Sequence, residues 1–300
     1  MTTKIATTKI SGLWLPLVTP FKDGAIDFAS YDRLVNHYIA KGVDGLLPLG
    51  TTGESPALDE DEIAAVIERT LAVADGRVPV FAGVGGNATA KVEKELKRLH
   101  HLPIAGILSV CPYYNRPSQD GLIAHFRHIA AATDRDIVIY NIPYRTAVNL
   151  SNDSLLELAE LPNIVGVKDS SGSVEQSLEL LRRKPSDFAV LTGEDALFFT
   201  MRANGAEGGI LAASHVATEG FVEVERCFRA DELSGARKAW APLAGFVPML
   251  FAEANPMPIK HLLWRQGLIA SPECRLPLTR ISDDLARRLD AVFAEKKAAA

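Results

Sequence analysis

Eight short apolar segments recur along the chain, separated by amphipathic stretches. Each is typical of a strand buried on both faces, and their starts lie 20 to 34 residues apart, which leaves room for one helix that returns the chain to a parallel neighbour. The predicted strands are residues 13–18, 45–49, 79–83, 104–110, 137–141, 164–168, 188–192 and 208–211. Eight repeats of this kind predict an α/β fold, a (β/α)8 TIM barrel.

Helix signals support this reading, and two prolines oppose it locally. Asp27 is a predicted N-cap before residues that are apolar at helical spacing. Asp59, with Glu62 three residues on, predicts a capping box before a second apolar stripe. Pro16 and Pro48 lie inside two predicted strands, where proline cannot donate a ladder hydrogen bond.

Near residue 230 the pattern changes to helix alone. Helices are predicted over residues 231–251, 258–267 and 282–297. No Gly/Ser linker separates this part from the repeats. The expected organisation is a barrel over residues 1–229, with a C-terminal helical region over residues 230–300 packed on it.

Charge and composition exclude several classes of function. The 300 residues carry 37 acidic and 32 basic side chains without basic blocks, so nucleic acid is not an expected partner. Three cysteines form neither an even disulfide set nor a closely spaced metal pair, and no metal site is expected. The longest uncharged stretch, residues 99–115, is too short and too polar to cross a membrane. Without a signal-like N-terminus, a cytoplasmic protein is expected.

Catalytic groups of such barrels lie at the carboxyl ends of strands, and Lys168 ends the sixth predicted strand. An amine delivered there by a buried strand is desolvated, which lowers its pKa and leaves neutral amine to attack a carbonyl and form a Schiff base. The alternative is that Lys168 pairs with Asp169 or another carboxylate and only closes the strand.

Three other strand-end features are candidates, each with an ordinary alternative. Tyr140 is placed to move protons during imine chemistry, or is a core tyrosine with a satisfied hydroxyl. Thr51 and Thr52 lie in a Gly-Thr-Thr-Gly turn that presents hydroxyl and N–H groups to a carboxylate, or simply turns the chain. Arg145 is suited to clamp a second carboxylate, or is a surface arginine.

These residues belong to segments that resemble the dihydrodipicolinate synthase / N-acetylneuraminate lyase family from about Ser11 to the C-terminal helices. The segments that carry the resemblance are Val-Thr-Pro-Phe at 18–21, Gly-Thr-Thr-Gly-Glu-Ser at 50–55, Pro-Tyr-Tyr-Asn-Arg-Pro-Ser-Gln at 112–119, Tyr-Asn-Ile-Pro at 140–143, Gly-Val-Lys-Asp at 166–169 and Asn-Pro-Met-Pro-Ile-Lys at 255–260. Within the family, the doubled threonine, the tyrosine pair and Arg145 are most similar to the synthases.

The resemblance implies catalytic roles for four residues. Lys168 forms an imine with pyruvate, and Tyr140 moves protons between the imine and the incoming aldehyde. Thr51 and Tyr114 extend this relay, with Tyr114 supplied by a neighbouring subunit. No cofactor is implied beyond the covalent imine, and the family's usual assembly is a homotetramer, a dimer of dimers.

The resemblance also implies how substrates bind. Thr51 and Thr52 hold the pyruvate carboxylate, Arg145 binds the carboxylate of aspartate semialdehyde, and the backbone carbonyls of Gly193 and Ile210 line the pocket. Two departures concern the aldehyde, because tyrosine and alanine at positions 144 and 147 replace the smaller serine and glycine expected there.

The implied reaction is the condensation of pyruvate with L-aspartate 4-semialdehyde to 4-hydroxy-tetrahydrodipicolinate, in lysine and diaminopimelate biosynthesis. Three alternatives remain open. One is a lyase of the same family that cleaves N-acetylneuraminate or a 2-keto-3-deoxy sugar acid. The second, a barrel that only binds a keto acid, conflicts with the complete set of candidate catalytic residues. The third, a metal-dependent aldolase, conflicts with the lack of a His/carboxylate ligand pattern in the sequence.

Overall fold

The structure is a computed structural model that describes residues 10–299, with side chains up to residue 294. Its strands are β1 Gly12–Leu15, β2 Phe21–Lys22, β3 Ala25–Ile26, β4 Gly45–Leu46, β5 Phe81–Gly83, β6 Gly106–Val110, β7 Asp136–Asn141, β8 Ile164–Asp169, β9 Ala189–Thr192 and β10 Gly208–Ile210. Its α-helices are α1 Phe28–Ala40, α2 Glu60–Ala74, α3 Thr89–Leu99, α4 Gln119–Ala131, α5 Pro143–Thr146, α6 Asn152–Leu158, α7 Val174–Arg183, α8 Phe198–Ala203, α9 Thr218–Arg229, α10 Leu233–Ala244, α11 Met257–Arg265 and α12 Asp283–Ala299.

Eight strands form one sheet in the order β4-β1-β10-β9-β8-β7-β6-β5. From β5 to β10 each strand pairs in parallel with the next one along the chain. The last strand, β10, pairs in parallel with the first, β1. Strands β2 and β3 form a separate antiparallel pair. A sheet whose last strand lies beside its first has the order of a (β/α)8 barrel, so the predicted fold class is confirmed.

All eight predicted barrel strands are present, and the two prolines mark where two of them end. Strand β1 ends at Leu15 and β4 ends at Leu46, so that Pro16 and Pro48 lie just beyond the ladders. Both strands are shorter than the apolar runs, and the prolines have no N–H group to donate to a ladder. Backbone contact nevertheless continues past Pro16, where the Leu17 N–H donates to the Leu47 carbonyl at 3.0 Å.

The predicted caps of α1 and α2 are confirmed. The Asp27 carboxylate accepts a hydrogen bond from the N–H of Ser30, 3.0 Å away. Asp59 accepts from the N–H of Glu62, and the Glu62 carboxylate accepts in return from the N–H of Asp59, which is a complete capping box.

The first C-terminal helix is shorter than predicted. Helix α10 ends at Ala244, and a separate 3-10 helix covers Val247–Phe251. Pro248 disfavours a continuous helix, because its ring clashes with the carbonyl four residues earlier, here that of Ala244, whereas Pro242 is accommodated inside α10. Helices α11 and α12 correspond to the other two predicted segments.

The described chain forms two compact units. One combines the residues up to Trp14 with Pro79–Ile210 and contains β5 to β10 and α3 to α8. The other combines Leu15–Val78 with the residues from Leu211 onward and contains α1, α2 and α9 to α12. The division at residue 230 into a barrel and a packed helical region stays a prediction. None of the helices described has the length and apolar character needed to span a membrane.

Candidate active site

Lys168 lies near the carboxyl end of β8, inside the first unit. Its strand neighbours are Tyr140 of β7 and Leu191 of β9. The residue is 6% exposed, so the strand places a lysine side chain in a site that excludes most water. The placement inferred from the sequence is therefore what the structure shows.

Burial lowers the pKa of Lys168 to about 8, because an ammonium loses its hydration there. The charges of Asp195 and Glu194 oppose this change, and that of Arg145 adds to it. Desolvation is the largest cause, so the neutral amine is more accessible near physiological pH than in an exposed lysine. This is the state in which an amine is a nucleophile.

The alternative pairing of Lys168 with Asp169 is not what the structure shows. Successive side chains of a strand point to opposite faces, so the two residues diverge. The Asp169 carboxylate accepts hydrogen bonds from the Ser171 N–H, at 2.9 Å, and from the Ser177 hydroxyl. Asp169 thus stabilises the start of the following helix, and the Lys168 side chain lies on the opposite face of the strand.

Tyr140 and Gly193 border the lysine side chain. The Lys168 Nζ lies 4.2 Å from the centroid of the Tyr140 ring. A Cβ on Gly193 would lie 2.7 Å from Lys168 Cε and would overlap Ser170 Oγ, so no larger residue fits without moving these side chains. The Gly193 N–H donates to the carbonyl of Asp169 at 2.7 Å, which fixes this backbone against β8.

Sequence reasoning missed Glu194 and Asp195, the two acidic residues whose charges act on Lys168. The Glu194 Oε1 is buried and has no hydrogen-bond partner among the described residues. Burial raises the pKa of the Glu194 carboxyl. Their position directly after Gly193, beyond the end of β9, was the available signal, because strand-end residues face the site in this fold.

Arg145 and Ile210 occupy the ends of other elements of the same unit. Arg145 lies exposed on the short helix α5, with its guanidinium 5.6 Å from the centroid of the Tyr144 ring. Its charge is among those that act on Lys168, so the structure brings these two predicted residues into one electrostatic environment. Ile210 is buried at the end of β10, opposite Trp14 of β1.

Tyr114 lies in the loop that follows β6 and is 88% exposed. Its φ of 73° and the φ of 48° at Arg116 are both left-handed, which is uncommon for residues other than glycine. The side-chain Nδ2 of Asn115 donates a hydrogen bond to the backbone carbonyl of Asn87 at 2.9 Å. The loop therefore presents a large aromatic side chain outward, and the predicted contribution of Tyr114 to a neighbouring subunit stays a prediction.

Thr51 and Thr52 belong to the second unit, in a 3-10 helix over Thr51–Gly53 that follows β4. Thr52 is buried. A Cβ on Gly53 would lie 3.0 Å from the carbonyl oxygen of Leu17, and the Thr19 hydroxyl donates to the Gly53 carbonyl at 2.7 Å. The association of this turn with Lys168 stays a prediction.

A buried ion pair holds the residue that follows this turn. Glu54 has a left-handed φ of 54° and pairs with Lys260 of α11. The other carboxylate oxygen of Glu54 accepts from the N–H of Arg275 at 2.9 Å. The Lys260 ammonium also donates to the carbonyl of Glu273 at 2.8 Å and lies 4.2 Å from the centroid of the Phe21 ring. Both charges are therefore removed from water and satisfied by the protein.

Lys260→Met is expected to lower the free energy of unfolding by about 3–5 kcal/mol, because it leaves the Glu54 carboxylate buried without its counter-charge. Chemical denaturation measures this. The double variant Lys260→Met with Glu54→Gln removes both charges and keeps an acceptor for the Arg275 N–H, so it is expected to recover most of the loss. A single variant as stable as the wild type would contradict the prediction.

The fold and Lys168 define the class of protein first: an α/β barrel with a buried lysine of lowered pKa near the end of a strand. Among the described residues, no group of three or more His, Cys, Asp and Glu side chains is placed to hold a metal ion. Comparison with known proteins identifies a particular family within this class. The model of the Dihydrodipicolinate synthetase family matches residues 9–296, and the chain belongs to that family.

Individual relatives agree over nearly the full length. The 4-hydroxy-tetrahydrodipicolinate synthase 2 of Clostridium acetobutylicum is 48% identical over 282 residues, which cover 94% of this chain and 99% of that relative. The 4-hydroxy-tetrahydrodipicolinate synthase of Laribacter hongkongensis is 40% identical over 285 residues, covering 95% and 98% of the two chains. The crystal structure of dihydrodipicolinate synthase from Aquifex aeolicus matches with a TM-score of 0.93 at 37% identity, covering 96% of this chain and 98% of that one. The resemblance drawn from the sequence is confirmed.

Proposed function

We propose that the chain is a lyase that condenses pyruvate with L-aspartate 4-semialdehyde to give 4-hydroxy-tetrahydrodipicolinate, in lysine and diaminopimelate biosynthesis in the cytoplasm. The observation that carries the proposal is the buried Lys168 amine near the end of β8, with its pKa lowered to about 8, in a member of this family. Relatives named as this synthase match the chain over nearly its whole length.

In the proposed mechanism, Lys168 Nζ attacks the C2 carbonyl of pyruvate, and loss of water from the carbinolamine gives an imine. The iminium nitrogen withdraws electrons, so a proton leaves the C3 methyl group and an enamine forms. C3 then bonds to the aldehyde carbon of the semialdehyde, whose oxygen takes up a proton. The amino group of the second substrate finally attacks C2 and displaces Lys168, which closes the ring. The imine itself accepts the electron pair, and the reaction needs no cofactor.

Tyr140 is the proposed proton carrier for these steps, because its ring lies against the Lys168 amine. Thr51 extends the relay in this proposal, and the Thr51–Thr52 turn holds the pyruvate carboxylate. Arg145 binds the carboxylate of the semialdehyde through its planar pair of donors. The carbonyls of Gly193 and Ile210 line the same pocket.

The pH dependence of the first step follows from the environment of Lys168. We expect kcat/KM for pyruvate to rise with pH through about 8 and to level off above it, because only the free amine attacks. Glu194→Gln removes a charge that raises this pKa, so the midpoint is expected to fall below that of the wild type. Glu68→Gln, on the exposed side of α2, is the matched control and leaves the midpoint unchanged. A midpoint near the ordinary lysine value of 10.5 would contradict the assignment.

The proposed assembly is a homotetramer in which Tyr114 acts in a neighbouring subunit. Mixing Tyr114→Phe and Lys168→Met chains under conditions of subunit exchange tests this. A mixed dimer has one site with both an intact Lys168 and a partner's intact Tyr114, so the mixture is expected to recover about a quarter of wild-type activity. If Tyr114 acts within its own chain, the mixture shows only the residual activity of Tyr114→Phe.

The choice of aldehyde is tested by steady-state kinetics on the wild-type protein. Condensation of pyruvate with L-aspartate 4-semialdehyde is compared with cleavage of N-acetylneuraminate and of a 2-keto-3-deoxy sugar acid. We expect kcat/KM for the condensation to exceed both cleavage values. A preference for sugar-acid cleavage would overturn the proposed second substrate and leave the imine chemistry in place.

A further inference from the structure

The segment before α11 contacts the threonine turn through one side chain. Asn255 is 8% exposed, and its Nδ2 donates a hydrogen bond to Thr52 Oγ1 at 2.9 Å. The other end of the amide, Oδ1, is buried without a hydrogen-bond partner among the described residues. A buried acceptor without a donor is destabilising and uncommon. The N–H group is therefore the part of the buried amide that makes a hydrogen bond, and that bond goes to Thr52.

The direction of this hydrogen bond determines whether the Thr52 hydroxyl can still donate its proton to a ligand. A hydroxyl group has one proton to donate and lone pairs that accept. Because the Asn255 amide donates to Thr52 Oγ1, the Thr52 proton is not consumed by that contact. An acceptor in the place of the amide would take the proton and leave no donor for a bound anion.

The same segment holds the turn on its other side. Lys260, one turn into α11, forms the buried ion pair with Glu54, two residues after Thr52. Residues 255–260 therefore contact the turn at a side chain and just beyond its last residue. The C-terminal region thereby positions the turn in addition to any part it takes in packing or assembly.

We propose that Asn255 is a positioning residue for pyruvate binding: it holds Thr52 Oγ1 as an acceptor, so that the hydroxyl donates its proton to the pyruvate carboxylate. This inference rests on the proposed function, in which the Thr51–Thr52 turn receives that carboxylate. It adds to that function a residue which acts through Thr52 and not on the substrate.

The test compares a charged and a neutral ketone. Borohydride trapping of the Lys168 imine is followed by intact mass as a function of pyruvate or methyl pyruvate concentration. Asn255→Asp accepts where the amide donates and adds a negative charge, so half-saturation by pyruvate is expected at ~10- to 100-fold higher concentration. Half-saturation by methyl pyruvate, which lacks the carboxylate charge, is expected to change less than about twofold, because that contact is absent.

Two further variants keep the inference falsifiable. Thr52→Val keeps Asn255 but removes the hydroxyl proton, and it is expected to show the same selective loss for pyruvate. Asn255→Leu added to Thr52→Val is expected to cause no further loss, because Asn255 acts through that hydroxyl. Asn36→Asp adds the same charge on the exposed side of α1 and is the control.

Each outcome has a defined meaning. If Asn255→Asp reaches half-saturation at the same pyruvate concentration as the wild type, the positioning role is wrong. It is also wrong if half-saturation rises equally for pyruvate and methyl pyruvate in a variant whose thermal unfolding is unchanged. Additive losses in the double variant would show that Asn255 acts by another route. A wild-type protein that forms no pyruvate adduct at Lys168 would instead overturn the proposed function.

Discussion

Replacing Lys168 with methionine is expected to lower the rate of condensation by at least ~10³-fold, because no other route to the enamine remains once the covalent nucleophile is lost. Methionine has a similar length and no charge, so it suits a buried position better than a shorter or charged residue does. The measurement combines steady-state turnover with mass analysis after borohydride treatment. The wild type is expected to gain one reduced pyruvate on the peptide that contains Lys168, and the variant none.

The control for this prediction is Lys22→Met, at the exposed residue of strand β2. It removes a lysine from the surface and is expected to retain full turnover and the adduct. An adduct on any other lysine of the wild type would contradict the assignment of the nucleophile. Near-normal turnover of a folded Lys168→Met protein would do so as well.

Tyr140→Phe is expected to separate the two halves of the reaction. The ring that lies 4.2 Å from Lys168 Nζ stays, but its hydroxyl is lost. The pyruvate adduct is therefore expected to form, while turnover falls by ~10²- to 10⁴-fold, since positioned proton transfer contributes about that much. Trapping experiments and steady-state kinetics on the same preparation measure the two effects.

Tyr38→Phe is the matched control for Tyr140→Phe. Tyr38 is also buried, and its hydroxyl donates to the carbonyl of His215 at 3.3 Å. Its loss is expected to leave turnover unchanged. Near-normal turnover of Tyr140→Phe would remove Tyr140 from the proton relay, and loss of the adduct as well would indicate that the ring positions the lysine.

Local pattern was sufficient for the elements of the fold. Apolar runs placed all eight barrel strands, because strands buried on both faces are predominantly apolar. The caps at Asp27 and Asp59 were readable because capping joins residues three positions apart. The end of α10 at Ala244 was not predicted, although Pro248 was a signal for it, because the apolar spacing continues through the proline.

The candidate site was predictable only in part. Lys168 was found because its place at a strand end follows from the run of apolar residues before it. The acidic pair Glu194 and Asp195 was missed although it directly follows the end of β9, because residue type alone does not distinguish carboxylates that act on Lys168 from ordinary loop carboxylates. The hydrogen bond from Asn255 to Thr52 joins residues 203 positions apart, and no local pattern encodes such a contact.

The sequence by itself determined the barrel repeat, the family and Lys168 as the candidate nucleophile, since each depends on residue type and spacing along the chain. The tertiary structure alone decided which charged groups act on Lys168. Lys168 does not pair with Asp169, because successive side chains of the strand point to opposite faces. The Asp169 carboxylate accepts hydrogen bonds from Ser171 and Ser177 instead. The apolar run before Lys168 predicted its burial, but the extent of the change, a pKa lowered to about 8, depends on the packed structure, because distant segments and charges surround the side chain.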